Sequence, residues 1–218
     1  MKIIEADLVT GVSTGGIRGG IVRDELAQIA FAGRSNVGKS SLLNALTRRK
    51  IARTSAAAGK TREANVFRVV AEGGPGGPGR WSTYLVDLPG YGYARGGDES
   101  VAELALVVEA YLATGQRERG LESGASRPRR GTIFQLIDSR HPGLPADVQA
   151  HRRISEMAAT PRLVATKIDK LSRSERAKHL REIENLYGYP ALGVSSTTGE
   201  GLDELWATIA RISKGVEE

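Results

Sequence analysis

The chain contains no cysteine. That excludes disulfides, thiolate metal sites and cysteine nucleophiles together, and it fits a reducing compartment. No apolar run approaches the ~18 residues that a bilayer-spanning helix needs. The opening Met1-Lys2-Ile3-Ile4 runs straight into Glu5 and Asp7, so no signal peptide is expected. A soluble, cytoplasmic protein without a membrane partner follows as the expectation. Aromatic residues make up only 5% of the chain. Trp81, Trp206 and the Tyr91/Tyr93 pair therefore read as packing or switch-loop residues rather than a base-stacking platform. His141, His151 and His179 have no metal-ligand spacing and read as surface or supporting residues. There is no internal repeat.

What is present is 218 residues with a net charge of +6 and a pI near 9.7. That length predicts one domain with short appendages, and it is enough to bury a core without staples. The basic balance favours polyanionic partners.

The most informative stretch is Gly33-Arg34-Ser35-Asn36-Val37-Gly38-Lys39-Ser40. It follows the apolar run Ile29-Ala30-Phe31-Ala32 and precedes Ser41-Leu42-Leu43-Asn44-Ala45-Leu46, which is the order strand, glycine-bounded loop, helix. Glycines let backbone approach phosphates without Cβ clashes. Successive N–H groups and a helix N-terminus then face the anion. Lys39 is expected at the β- and γ-phosphates, and the Ser40 hydroxyl on Mg²⁺.

Strands are expected near Ile3–Val9, over 27–32, at Val66–Val70, Ser82–Val86, Ile133–Ile137 and Leu163–Ala165, with a short one before Ser195. The run Gly73-Gly74-Pro75-Gly76-Gly77-Pro78-Gly79 predicts a hairpin tip. Helices are expected over 39–49, from Ser100, after Pro145, from the Ser172/Glu175 capping box to about residue 186, and along Leu202, Leu205, Trp206, Ile209 and Ile212. Each strand ends in a polar cluster. This alternation predicts a three-layer α/β fold with a mostly parallel sheet of about six strands and helices on both faces. Ligands in such sheets sit beyond the carboxyl ends of the strands.

Further candidates fall at those ends. Asp87-Leu88-Pro89-Gly90 closes an apolar strand, where the aspartate can hold Mg²⁺ through water and the Gly90 N–H can meet a γ-phosphate. Thr61, within Gly59-Lys60-Thr61-Arg62-Glu63, is placed to ligate Mg²⁺ only while a γ-phosphate is present. In Thr166-Lys167-Ile168-Asp169, the aspartate can accept from guanine N1–H and N2–H₂, whereas adenine N1 would repel it. The Lys167 stem can cover the base. Ser195-Ser196-Thr197 offers backbone N–H groups to guanine O6.

In this order the segments resemble the motif series of a translation-factor-type GTPase with a Ras-like P-loop domain. The match narrows at Ala32–Leu42, Gly59-Lys60-Thr61, Asp87-Leu88-Pro89-Gly90-Tyr91-Gly92-Tyr93-Ala94 and Ile137-Asp138-Ser139-Arg140-His141, which together resemble the EngB family (YihA/YsxC type). The resemblance implies binding of GTP and GDP with Mg²⁺. It also implies a role in assembling the bacterial large ribosomal subunit, whose RNA and proteins would be partners; some members are linked to cell division and septation. Thr166 stands where most GTPases carry Asn, a change shared with this family. Tyr91 stands where Ras-like enzymes place a water-orienting glutamine, so slow intrinsic hydrolysis is expected. Asn36 is a candidate K⁺ ligand near the phosphates. A nucleotide-gated RNA- or protein-binding module with incidental hydrolysis is the alternative, and a small-molecule kinase is a third reading that Asp169 argues against.

The expected division is an N-terminal extension over 1–26, a nucleotide-binding domain over 27–213 and a tail over 214–218, in a monomer. An insert at 114–131 carries five arginines against two glutamates, a local charge of +3. Its Arg127, Arg129 and Arg130 are candidates for RNA phosphates, with a solvated loop as the plain alternative.

Overall fold

The structure, a computed structural model, describes residues 1–13, 26–52, 63–92, 102, 106, 108, 132–156 and 161–216. The loop that carries Gly59, Lys60, Thr61 and Arg62, the segment from Tyr93 that includes most of the helix expected from Ser100, and the 114–131 insert lie outside the described residues.

Seven strands form one sheet in the order β1-β3-β4-β2-β5-β6-β7. They are β1 (Lys2–Ser13), β2 (Gln28–Gly33), β3 (Glu63–Glu72), β4 (Arg80–Asp87), β5 (Thr132–Asp138), β6 (Arg162–Thr166) and β7 (Leu192–Gly193). The pairs from β4 through β2, β5 and β6 to β7 are parallel, while β1 and β4 both run antiparallel to β3. Each of the seven segments expected as strands is present. β1 is longer than Ile3–Val9, because register shifts at Ile3/Glu5 and Leu8/Thr10 let it follow β3 to Ser13. Such bulges break the in–out alternation that marks a strand in sequence.

The parallel centre is buried on both faces, which is why β2 reads as an unbroken apolar run. Ile29 and Phe31 join the cluster with Leu42 and Leu46 of α1 (Lys39–Thr47) and Leu205, Trp206 and Ile209 of α4 (Leu202–Lys214). Ala30 and Ala32 point the other way, toward Ala150 and Ile154 of α2 (Pro145–Glu156). Ile183 and Tyr187 of α3 (Arg173–Tyr187) pack on Ile137, Leu163 and Ala165. Helices therefore cover both faces in three layers.

Particular contacts lock this arrangement. Phe31 and Phe134 stack with centroids 5.6 Å apart, an offset pair worth about 1 kcal/mol beyond its burial. The Trp206 indole donates to the Leu46 carbonyl at 2.8 Å, tying α4 to α1. The expected capping box is present: the Ser172 hydroxyl accepts from the Glu175 N–H while the Glu175 carboxylate accepts from the Ser172 N–H. The Gly/Pro run forms the β3–β4 hairpin tip, and Lys214 of α4 donates to its Gly77 carbonyl at 3.1 Å.

Some buried polar groups are left over among the described residues. The Tyr187 hydroxyl has no hydrogen-bond partner among the described residues, and burial pushes its pKa up. Removing an unpaired buried hydroxyl relieves a desolvation cost. Tyr187→Phe is therefore expected to leave the urea midpoint unchanged or raise stability by up to about 1 kcal/mol. A clear loss of stability would mean that the hydroxyl has a partner.

Candidate functional site

The carboxyl ends of β2, β4, β5, β6 and β7 lie along one edge of the sheet. β2 runs out into the glycine loop. Gly33 sits so close to its neighbours that a Cβ there would lie 2.8 Å from Val37 Cγ1 and 3.1 Å from Leu136 Cβ. Gly38 has φ +107° and precedes the first turn of α1. The first glycine is thus required by close packing and the second by a left-handed backbone. Asn36, also left-handed at φ 64°, is exposed, a conformation its short polar side chain tolerates.

Lys39 opens α1, and its ammonium forms an ion pair with Asp87 at the end of β4. Their side chains are only 12% and 8% exposed, so little water screens the pair. The contact also sets Asp87 beside the helix turn that carries Ser40. Leu88 is buried and donates its N–H to the Phe31 carbonyl at 3.1 Å, which holds the Asp87-Leu88-Pro89-Gly90 segment against the root of the loop.

The Thr166–Asp169 segment meets the same loop from β6. The Thr166 hydroxyl donates to the Val37 carbonyl at 2.7 Å, with the Ile137 carbonyl 3.2 Å away. Lys167 has φ 62°. Its ammonium donates to the Asn36 carbonyl at 2.6 Å and to Asp138 Oδ2 at 2.8 Å. Its stem passes the loop, with Cε 3.7 Å from where a Gly38 Cβ would lie. Asp138, at the end of β5, also takes the Arg140 guanidinium on both oxygens, at 2.9 and 2.7 Å. Burial raises the Asp138 carboxyl pKa, but the hydrogen bonds from Arg140 and Lys167 outweigh it and hold the group well below the usual carboxylate range. Asp138 is therefore a fixed anion that aims Lys167 across the loop.

Asp169 lies in a single 3-10 turn, Ile168–Lys170. Its Oδ1 accepts from the Ser195 hydroxyl at 2.7 Å, and this bond lowers its pKa. The Ser195 oxygen in turn accepts from the Thr197 and Thr198 N–H groups at 3.2 and 3.0 Å. One detail departs from expectation. The Ser195 N–H does not point outward but donates to the Glu200 carbonyl at 2.9 Å. With Thr197 also engaged, Ser196 carries the one N–H of the Ser195-Ser196-Thr197 run without a partner among the described residues.

The structure therefore brings Gly33–Ser40, Asp87–Gly90, Thr166–Asp169 and Ser195–Thr197 together. It does not describe Gly59–Arg62, and of Glu63 it describes only the backbone at the start of β3.

A family model described as "50S ribosome-binding GTPase" matches residues 28–168. A probable GTP-binding protein EngB from Pelotomaculum thermopropionicum is 38% identical over 217 residues, spanning 97% of this chain and 96% of its own. The probable GTP-binding protein EngB of Syntrophomonas wolfei is 37% identical over 190 residues, covering 86% of this chain and 87% of its own. The chain belongs to the EngB family. It is accordingly a GTPase that binds GTP and GDP. A crystal structure of a probable GTP-binding protein engB shares the fold, with a TM-score of 0.58 at 19% identity over 87% of this chain and 100% of that one.

For an EngB-family GTPase the donor set fits Mg²⁺. The Ser40 hydroxyl and the Asp87 carboxylate are hard oxygen donors on neighbouring elements. Mg²⁺ is commonly held by one or two such protein oxygens together with phosphate oxygens and water. Among the described residues no group of three or more His, Asp or Glu side chains forms an all-protein cage.

Thr166 gives this EngB-family site a direct test. Thr166→Val keeps the branched shape but removes the donor to Val37. GDP and GTP affinity are expected to fall together by about five- to tenfold, equivalent to one lost hydrogen bond of about 1 kcal/mol, as measured by displacement of a fluorescent guanine nucleotide. Unchanged affinity for both would show that the hydroxyl does not brace the loop.

Sequence reasoning passed over Gln135 and Asp147. Gln135 carried a visible signal, since it is a lone amide inside the buried run Ile133-Phe134-Gln135-Leu136-Ile137. It is fully buried, and its amide meets the Asp147 carbonyl at 2.9 Å and His151 Nδ1 at 2.8 Å.

Proposed function

We propose that this protein is a Mg²⁺-dependent switch GTPase that docks on the bacterial large ribosomal subunit, or its precursor, when loaded with GTP and leaves after slow hydrolysis. The observation that carries the reading is the convergence of three separate segments on the phosphate loop, with Thr166 bonded to Val37 and Asp169 aimed by Ser195. The ribosomal part draws support from the family description and from the basic charge of the chain. A cytoplasmic monomer with a link to septation fits the same reading, and no described helix is long and apolar enough to cross a membrane.

In this reading the backbone N–H groups of Gly33–Ser40 cradle the phosphates. Asp169 accepts from guanine N1–H and N2–H₂, the Lys167 stem covers the base and the Ser196 N–H meets O6. Ser40, Thr61 and Asp87 (the last through water) would hold Mg²⁺, which supplies charge neutralisation at the β- and γ-phosphate oxygens. Gly59, Lys60, Arg62 and Glu63 flank Thr61 in the sequence and are assigned with it to nucleotide binding. Water attacks the γ-phosphorus as the bond to the β–γ bridging oxygen breaks, GDP leaves with that electron pair and the water's protons pass to phosphate and solvent. Lys39 stabilises the developing charge.

Slow hydrolysis follows from Tyr91. It is fully buried, and its hydroxyl is engaged with Asp147 at 3.0 Å, so it holds no water for attack. Asn36, exposed at the loop crest, is assigned to a K⁺ ion that compensates in part. Hydrolysis is expected to be faster in K⁺ than in Na⁺, and equal rates with and without ribosomes would sink the K⁺ assignment.

Co-sedimentation with large ribosomal subunits tests the docking. Retention is expected with a non-hydrolysable GTP analogue and release with GDP, and the salt slope would count phosphate contacts. Absence of binding in every nucleotide state would overturn the ribosomal reading.

A further inference from the structure

A buried polar network lies directly beneath the phosphate loop, and the mechanism above draws on only its Tyr91–Asp147 contact. Its centre is Asp147, in the first turn of α2 and fully buried. The two carboxylate oxygens take different partners. Oδ2 accepts from Arg34 Nε of the phosphate loop at 3.1 Å, and Oδ1 accepts from the Tyr91 hydroxyl at 3.0 Å. Gln135 on β5 donates to the Asp147 backbone carbonyl at 2.9 Å, which fixes the turn that presents the carboxylate. Burial raises the Asp147 pKa, against the opposing pull of Arg34 and Tyr91.

Tyr91 is held at its backbone as well. Its carbonyl accepts from the Ser35 N–H at 2.9 Å and its N–H donates to the Gly33 carbonyl at 3.4 Å. The preceding Gly90 is pressed on the loop so closely that a Cβ there would lie 3.0 Å from Ser35 Oγ and 3.3 Å from Ser35 N. Immediately beyond, Gly92 turns the chain with φ +76°. Tyr91 is therefore a pinned point, and Gly90 inherits its position.

We propose that Asp147 is a positioning residue for the triphosphate: by gripping Arg34 with one oxygen and Tyr91 with the other, it presets Gly90 beside the phosphate loop, and so sets the affinity for GTP relative to GDP without touching either nucleotide. The inference rests on the reading above that Gly90 meets the γ-phosphate. GDP has no γ-phosphate and does not sense where Gly90 sits. GTP gains from an N–H that is already in place and loses when that group must be ordered on binding.

Tyr91→Phe removes only the hydroxyl that Asp147 holds, and Asp147→Ala removes both arms. Affinities for GDP and for a non-hydrolysable GTP analogue are measured by displacement of a fluorescent guanine nucleotide in Mg²⁺ buffer. Tyr91→Phe is expected to weaken the analogue by about fivefold or more while GDP changes by less than about twofold, since only the triphosphate depends on the preset group. In the double variant, the analogue-to-GDP ratio should match that of Asp147→Ala alone, because that change has already broken the Tyr91 contact. Should Asp147→Ala fail to fold, Tyr91→Phe alone decides the matter. A merely structural role would lower both affinities in parallel with the melting temperature, and an unchanged ratio in Tyr91→Phe would overturn the proposal. Failure of the wild-type protein to bind either nucleotide would instead overturn the nucleotide-site reading, and this inference with it.

Discussion

Asp169→Asn is expected to cost GDP and GTP at least about a thousandfold in affinity and to shift preference toward xanthine nucleotides, the size of effect seen where a site built on hydrogen bonds loses its matched partner. The reason lies in what the carboxylate is. Ser195 donates to it and lowers its pKa, so at neutral pH it is ionised and can only accept. Guanine presents two donors, N1–H and N2–H₂, to that acceptor pair. An asparagine keeps one acceptor but turns an amide NH₂ toward the second donor, and two donors facing each other leave a polar group unpaired. Xanthine carries a carbonyl where guanine carries N2, and it accepts from the new amide. The fold should tolerate the change, because the asparagine oxygen can still accept from the Ser195 hydroxyl. The Lys170 ammonium, 3.3 Å from Oδ2, is 58% exposed and adds little, as exposed pairs do. Displacement of fluorescent GDP and of its xanthine counterpart reads both halves of the prediction. If the variant holds GDP within tenfold of wild type, Asp169 is not the base reader.

Lys39→Ala should produce the other large effect, and in two separable parts. Loss of the ammonium from the γ-phosphate site is expected to lower single-turnover GTP hydrolysis by about 10²–10³-fold, as for removal of one preorganised charge-stabilising donor. The second part is structural. Lys39 is paired with Asp87 in a setting where both side chains are nearly buried. Removing one partner strands the other, at a cost of about 3 kcal/mol. Urea unfolding of Lys39→Ala should therefore show a reduced midpoint. Removing Asp87 as well, in Lys39→Ala with Asp87→Ala, should restore part of the loss, since the stranded charge is gone. Hydrolysis in the double variant should stay at or below the level of Lys39→Ala. A single variant that is inactive but fully stable would mean that the ion pair contributes nothing to the fold. A single variant that hydrolyses GTP normally would remove Lys39 from the mechanism.

The residues that sequence reasoning read well are those whose chemistry is local. The phosphate loop declares itself by two glycines at fixed spacing between an apolar run and a helix. The hairpin tip follows from seven residues made only of glycine and proline. The α3 start follows from a serine and a glutamate three residues apart that satisfy each other's N–H groups. Strand ends were legible because buried apolar runs stop at Asp87, Asp138 and Thr166.

What escaped is what depends on distant partners. Asp147 in a first helical turn looks like a residue complementing the helix dipole; its Arg34 partner is 113 positions away. The Ser195 backbone was expected to face a ligand, but a turn to Glu200 uses its N–H first. The outer strand β1 hid its full length behind two register shifts. His151, assigned to a supporting place by its lack of ligand spacing, is half-buried against Gln135 and lies edge-on to the Tyr187 ring, 4.8 Å between centroids; burial lowers its pKa.

The most direct test of the account is competition for the wild-type site. Fluorescent GDP bound in Mg²⁺ buffer is challenged with GTP, GDP, ATP and ADP. The arrangement of Asp169, Ser195 and the phosphate loop predicts displacement by both guanine nucleotides at similar low concentrations, and none by the adenine pair until about a thousandfold more is added. Displacement by ADP as readily as by GDP would contradict it, and would show that the carboxylate at the end of β6 does not read the base.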